Sequence, residues 1–235
     1  MGSAHPIGIL GGMGPEATIL LQRKLLAAVP ARDDADHIPL LIDMNPQVPS
    51  RIARLIEGTG DDPAPVLAAM ARRLEGAGAG ALAMPCNTAH HYADAIRGAV
   101  SIPFLDMVAL SADHAADRLG SGGRVGLLAS PAVRLTGLYD TALSARGLAA
   151  LWPEGDAPML AAIREIKAHG PAEGARAALA AAADDLAQRG AGLLLIACTE
   201  FSLLTDSLAP AIPLVDTLDI LVAAIIAHAH PEPAG

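Results

Sequence analysis

An internal repeat restricts the possible folds of this chain more than any other feature. Gly78-Ala-Gly-Ala-Leu-Ala-Met-Pro-Cys86 is answered 112 positions later by Gly190-Ala-Gly-Leu-Leu-Leu-Ile-Ala-Cys198. Ile7-Gly-Ile-Leu10 is answered 118 positions on by Val125-Gly-Leu-Leu128, and Ile102-Pro-Phe-Leu-Asp106 is answered 110 positions on by Ile212-Pro-Leu-Val-Asp216. Apolar strands resemble one another, so a single pair means little. Three pairs in one order at nearly one offset point to two copies of the same half.

Within each half, short apolar runs alternate with longer Ala-, Leu- and Arg-rich segments. Ile7 to Leu10, Pro39 to Asp43, Ala81 to Met84, Ile102 to Leu105, Arg124 to Leu128, Leu193 to Ala197 and Ile212 to Val215 read as strands. Pro63 to Gly76, Thr88 to Ala99 and Pro171 to Arg189 read as helices. Such alternation means βαβ units and a parallel sheet, and strands that are apolar throughout have both sheet faces covered. The fold expected is α/β: two similar pseudo-symmetric domains with parallel sheets flanked by helices, and an active site in the cleft between them. The first domain is expected over residues 1–106 plus 216–235, and the second over 107–215.

Composition narrows the partners. The 235 residues are 52% hydrophobic, 17% charged and only 2% aromatic, so the cores must be built from Ala, Leu, Ile and Val. A net charge of -9 argues against a nucleic-acid partner, which requires a basic surface. Mean hydropathy is positive, yet the longest apolar run, Ile220 to Ala227, is far short of the roughly 18 residues of a spanning helix. A buried helix accounts for it, and no membrane partner is expected. Met1 to Pro6 lacks the basic segment of a signal peptide, so a cytoplasmic location and reduced thiols are expected.

The repeat makes the two cysteines informative. Each falls where a strand ends and a helix begins, in Pro85-Cys86-Asn87-Thr88 and Ala197-Cys198-Thr199-Glu200. Ligands of open α/β sheets bind at the carboxyl ends of strands. Helix N-termini favour thiolate and can hold a carboxylate, so both thiols are expected to titrate low. Asn87, Thr88 and Thr199 add donors, and Glu200 can tune Cys198 or bind an amino group. A lone buried cysteine packs as a small hydrophobe. Two at equivalent positions of a repeat suit a 1,1-proton transfer, with one thiol as base on one face of a carbon and the other as acid on the opposite face.

Taken with Gly11-Gly-Met-Gly-Pro15, Pro85-Cys-Asn-Thr-Ala-His90 and Ala197-Cys-Thr-Glu200, the chain resembles the Asp/Glu racemase family. Asn45-Pro-Gln-Val-Pro-Ser-Arg51 resembles that family's substrate-binding stretch, and Ile163-Arg-Glu-Ile-Lys167 its second basic site. The resemblance implies cofactor-independent racemisation of L- and D-aspartate with Cys86 and Cys198 as the catalytic thiols. It implies substrate binding by Met13, Arg51, Asn87, Thr88, Ser130, Lys167, Thr199 and Glu200, and a homodimer. One stretch departs from the pattern. Where the family often has a Gly-Thr pair following Ala-Thr, this chain reads Ala129-Ser-Pro-Ala-Val133, in which Ser130 retains a hydroxyl.

Other chemistries fit less well. Gly12-Met-Gly14-Pro-Glu-Ala17 matches a dinucleotide fingerprint, but Asp43 lies 29 positions after Gly14 rather than about 20, and Glu16 would face a pyrophosphate. The Gly run is better read as letting the backbone approach a small acid. Cys86 and His90 have ligand spacing, but Cys198 has no matching second His, so no metal is expected. His90 is expected to cap or line the cleft, and His37, His114, His228 and His230 to lie on the surface. Lys167 has no signature of a Schiff-base lysine. Glutamate or broad-specificity racemisation, cis–trans isomerisation of a dicarboxylate, or a non-catalytic amino-acid sensor are the remaining readings of the same residues.

Overall fold

The computed structural model describes residues 5–230. It divides into two compact units. One takes in the chain up to Arg54, Gly58–Met107 and the chain from Leu218 on; the other takes in Leu55–Glu57 and Val108–Thr217.

The first unit holds β1 (Ile7–Gly11), α1 (Pro15–Ala28), β2 (Leu40–Met44), α2 (Ala64–Gly76), β3 (Ala81–Ala83), α3 (Ala93–Arg97) and β4 (Phe104–Leu105). The helix α4 (Met107–Leu119) leads into the second unit, with β5 (Arg124–Ala129), α5 (Pro131–Thr136), α6 (Leu138–Ser144), β6 (Ala149–Leu151), α7 (Ala157–His169), α8 (Glu173–Gln188), β7 (Leu193–Ala197) and β8 (Leu214–Asp216). The helix α9 (Thr217–Ala229) begins at the boundary and otherwise belongs to the first unit. Each unit has a four-stranded sheet, in the orders β2-β1-β3-β4 and β6-β5-β7-β8, and every pairing is parallel.

The repeat extends to register. Ile7 lies against Ala81 as Val125 lies against Leu193, and Leu82 lies against Phe104 as Leu194 lies against Leu214. It extends to packing as well. A Cβ built on Gly8, in β1, would lie 2.7 Å from Leu82 Cδ2 and 3.1 Å from Leu74 Cβ. One built on Gly126, at the equivalent position of β5, would lie 2.6 Å from Leu194 Cδ2 and 3.1 Å from Leu186 Cβ. In both units a leucine from the neighbouring strand and one from the covering helix occupy the space a side chain would need. This is how strands with so few aromatic neighbours stay close-packed.

Sequence and structure differ in two elements. The strand β6 is not evident in the sequence, because Ala149-Ala-Leu151 is short, poor in β-branched residues and only partly buried. The helix expected over Thr88 to Ala99 is a 3-10 segment, Thr88–Tyr92, followed by the short α3. His90 and Tyr92 are both buried there, which a surface helix with one apolar stripe would not allow.

Replacing Gly8 or Gly126 by Ala is expected to cost about 1–3 kcal/mol each through overpacking, although Gly→Ala in a strand otherwise stabilises. Urea unfolding followed by circular dichroism reads this directly. A midpoint unchanged or raised in either variant would show that the leucines give way.

Candidate active site

In each sheet the chain runs outward in opposite directions from β1 or β5, so the strand order reverses between β1 and β3, and between β5 and β7. The crevice outside the carboxyl ends of strands at such a reversal is where open α/β sheets bind ligands. In the first unit, the loops flanking it carry Met13, after β1, and Cys86-Asn87-Thr88, after β3. In the second they carry Ser130, after β5, and Cys198-Thr199-Glu200, after β7.

In the first unit, Met13, Val48, Cys86, Ala89 and Tyr92 belong to one buried cluster. Cys86 is a free cysteine, and among the described residues its Sγ makes no hydrogen bond or ion pair. Asn87 is buried beside it, and Thr88 is half-buried. Arg51, at the start of the short helical segment that follows β2, is half-buried, and its guanidinium donates to the Val48 and Pro49 carbonyls at 3.3 and 3.0 Å. The Tyr92 hydroxyl is buried and, among the described residues, has no hydrogen-bond partner. Burial and then Asp62 push its titration up, opposed by Arg54 and Arg51. Tyr92 was not evident in the sequence as a site residue; its only signal is its place six positions after Cys86.

His90 pins this loop. Its Nδ1 is 2.9 Å from the Cys86 carbonyl oxygen, and its Nε2 accepts the Met107 N–H at 3.1 Å. That acceptor role requires the proton on Nδ1 and a neutral ring. Burial holds the ring below the ordinary histidine range, against the pull of Asp106. The 4.0 Å approach of Asp106 to Nε2 is therefore not an ion pair. Both ring nitrogens are used within the protein, which leaves His90 no lone pair for a metal. Among the described residues no group of three His, Cys, Asp or Glu side chains is placed to hold one.

In the second unit the thiol has charged company. Cys198 Sγ donates to Glu200 Oε2 at 3.2 Å, and Glu200 Oε1 lies 3.1 Å from Lys167 Nζ in the last turn of α7. Thr199 is buried beside the thiol. Ser130 caps α5, accepting from the Val133 N–H at 3.3 Å.

Several expectations need correction. Cys198 does not titrate low. Burial first, and then the Glu200 carboxylate, raise it well above the ordinary thiol value, with Lys167 opposing. The segment that follows Cys198 is a short 3-10 stretch, Phe201–Ser207, rather than a long helix, so it offers few aligned peptides to oppose burial and the carboxylate. In the Gly run, Gly11 and Gly12 are crowded by the protein itself, whereas the space beside Gly14 is open. A Cβ on Gly12 (φ +89°) would lie 2.4 Å from the Asn45 backbone, and one on Gly11 would lie 2.7 Å from Thr18 Cγ2. Asp43, whose spacing did not suit a dinucleotide site, pairs with Arg73 at 2.6 Å. His37 and His114 are half-buried rather than on the surface.

A folded-state titration raised above the unfolded value stabilises the fold below the unfolded pKa, near 9.0 for the thiol, and that stabilisation is lost as pH rises towards the folded pKa. The melting temperature of the parent is therefore expected to fall more between pH 8 and pH 10 than that of Cys198→Ser, whose hydroxyl can still donate to Glu200 but does not titrate. Other alkaline groups are common to both proteins. A parent–variant difference constant across that range would remove the charge penalty at Cys198.

The Asp/Glu/Hydantoin racemase family matches residues 10–225 of the chain. The chain is 27% identical to the broad specificity amino-acid racemase RacX of Bacillus subtilis (strain 168) over 222 residues, covering 90% of this chain and 92% of the relative. An aspartate racemase from Picrophilus torridus superposes with a TM-score of 0.82 at 28% identity, covering 95% of this chain and 94% of that one. A glutamate racemase from Bacillus anthracis, RacE1, superposes with a TM-score of 0.68 at 19% identity, covering 95% and 82%, and shares the fold.

Proposed function

The chain belongs to the Asp/Glu/Hydantoin racemase family, and from that premise we propose that it interconverts L- and D-aspartate without a cofactor, using Cys86 and Cys198 as opposed acid and base. The observation that carries this reading is the placement of the cysteines. The carboxyl ends of β3 and β7 are equivalent positions of two like sheets, and each delivers one buried free thiol.

The chemistry follows from what racemisation requires. One thiolate takes the α-proton: the C–H bond breaks, an S–H bond forms, and the electron pair is delocalised into the α-carboxylate. The other thiol gives its proton to the opposite face, which breaks its S–H bond and forms the new C–H bond. Each thiol must therefore reach one face of the same carbon. Charge accumulates on the carboxylate, so donors fixed in advance carry much of the rate enhancement. Buried Asn87 and Thr199 and half-buried Thr88 are suited to that, and Met13 and Ser130 line the loops beside them. Arg51 and Lys167 are the cations for the substrate's carboxylates. Among the described residues the Arg51 fork is held by two neutral backbone carbonyls, so a carboxylate can compete for it. Similarity to a broad specificity amino-acid racemase supports a second reading, in which the same thiols accept several amino acids.

Incubation with L-aspartate in deuterated water is expected to give racemic product labelled at the α-carbon. Cys86→Ala and Cys198→Ala should each lose racemisation yet retain exchange on one enantiomer, with opposite preferences, once each variant is shown to unfold cooperatively. A variant that still racemises near the parental rate would defeat the two-thiol mechanism. A panel of other amino acids turned over as fast as aspartate would favour the broad reading.

Arg51→Ala is expected to raise KM for aspartate by the equivalent of about 2–3 kcal/mol, the cost of a lost charge-assisted contact, with the fold intact. Unchanged kinetics would place the carboxylate elsewhere.

A further inference from the structure

The repeat that makes the thiols equivalent also shows where they differ. Offsetting by 112 positions aligns Cys86 with Cys198, Asn87 with Thr199, and Thr88 with Glu200. The second unit thus places a carboxylate where the first places a hydroxyl. That carboxylate is engaged at both ends, with one oxygen accepting from Cys198 Sγ at 3.2 Å and the other 3.1 Å from Lys167 Nζ. The Glu200 side chain is 15% exposed and that of Lys167 44%. Among the described residues Lys167 has no other partner.

We propose that Glu200 gives the two thiols unequal starting roles, holding Cys198 as the proton-carrying acid in the unliganded enzyme and leaving Cys86 to act first as the base, with Lys167 setting the strength of that hold. The inference rests on the two-thiol reading above for its meaning, but not for its test.

The physical basis is an anion beside a buried acid. A carboxylate in hydrogen-bond contact accepts the S–H proton and repels the thiolate that would replace it, so the thiol form is favoured twice. Burial acts in the same direction, and the Lys167 charge, paired with Glu200, acts against both. The carboxylate of Asp216, on neighbouring β8, is turned to Ser202 and Thr205 at 2.8 and 3.4 Å and is already accepting their hydroxyls. The charged groups acting on Cys198 are thus Glu200 and, through it, Lys167. Glu200 is a positioning residue on this account, because it sets the proton on Cys198 and need not touch substrate.

The chain has two cysteines, so Cys86→Ala leaves Cys198 as the single thiol and Cys198→Ala leaves Cys86. Thiolate absorbance near 240 nm, read against pH without substrate, reports each one, and a Cys-free double variant supplies the tyrosine baseline. Cys198 is expected to ionise at higher pH than Cys86. In the Cys86→Ala protein, adding Glu200→Gln is expected to lower the Cys198 midpoint by at least one pH unit, since Gln keeps the shape and the hydrogen bonding but not the charge. Adding Lys167→Met instead is expected to raise it. A merely structural Glu200 would leave the midpoint in place, because the Gln variant preserves the fold. An unmoved midpoint in Glu200→Gln, or a lowered one in Lys167→Met, would overturn the assignment. The exposed Lys167 variant keeps the test decisive if Glu200→Gln folds poorly. Since no racemisation is measured, failure here leaves the racemase reading standing, and loss of that reading leaves the thiol titration unchanged.

Discussion

Parallel pairing governs everything at the candidate site. In a parallel sheet all strands run the same way, so all their carboxyl ends emerge at one edge, and the loops that follow them crowd together there. Eight strands in two sheets of the same order make two such edges. Met13, Arg51 and Cys86 follow β1, β2 and β3 on one, and Ser130 and Cys198 follow β5 and β7 on the other. Residues far apart in sequence reach the same place because they occupy the same position relative to a strand end. Lys167 arrives differently, in the last turn of α7, and it is anchored by a charge rather than by a strand.

Duplicated backbone with diverged side chains explains why the two edges do different work. Asp106 and Asp216 are equivalent, as are His90 and Ser202. In the second unit Ser202 donates to Asp216 at 2.8 Å, and Thr217 donates to the Ile196 carbonyl at 2.8 Å. In the first, the bulkier His90 reaches past Asp106 to the Met107 amide and back to the Cys86 carbonyl, while Asp106 is taken up by Arg97. Each arrangement ties a thiol-bearing segment, or the strand leading to it, to the stretch where the chain passes from one unit to the other. The pairings differ, but His90 in one unit and Ser202 and Asp216 in the other are each satisfied, as desolvation demands.

Most of the strand framework and both sheets were legible in the sequence, because apolar runs buried on two faces leave a signal that survives duplication. Leu193–Ala197 matches its apolar run residue for residue, and Ile7–Gly11 does so within one residue. What stayed hidden depended on side chains meeting in three dimensions. The sequence offered Glu200 as a group to tune Cys198, but nothing in the order of residues places Lys167 against Glu200 across 33 positions. Local rules failed for the same reason. A thiol at the start of a long helix is acidified by the aligned peptides, but a seven-residue 3-10 segment offers few of them, and burial beside an anion prevails. Of the glycines after β1, Gly11 and Gly12 are crowded by Thr18 and Asn45, a constraint that becomes visible only in three dimensions.

An unequal pair of thiols is compatible with a reaction whose two sides are mirror images. The enantiomers of an amino acid have equal free energy in water, so no arrangement of charge in the protein can bias their equilibrium. In the proposed reaction a carboxylate at Glu200 can change only which protonation state the empty enzyme prefers, and hence how the same kcat/KM is divided between kcat and KM for each enantiomer. That leaves the position free to diverge from its counterpart Thr88 without loss of the overall conversion. Under the proposed mechanism the cysteines have no such freedom, because removing either would delete one face of the chemistry. The divergence within the repeat follows that line: the thiols are identical, the residues two positions on are not, and the sheets that hold them keep the same register.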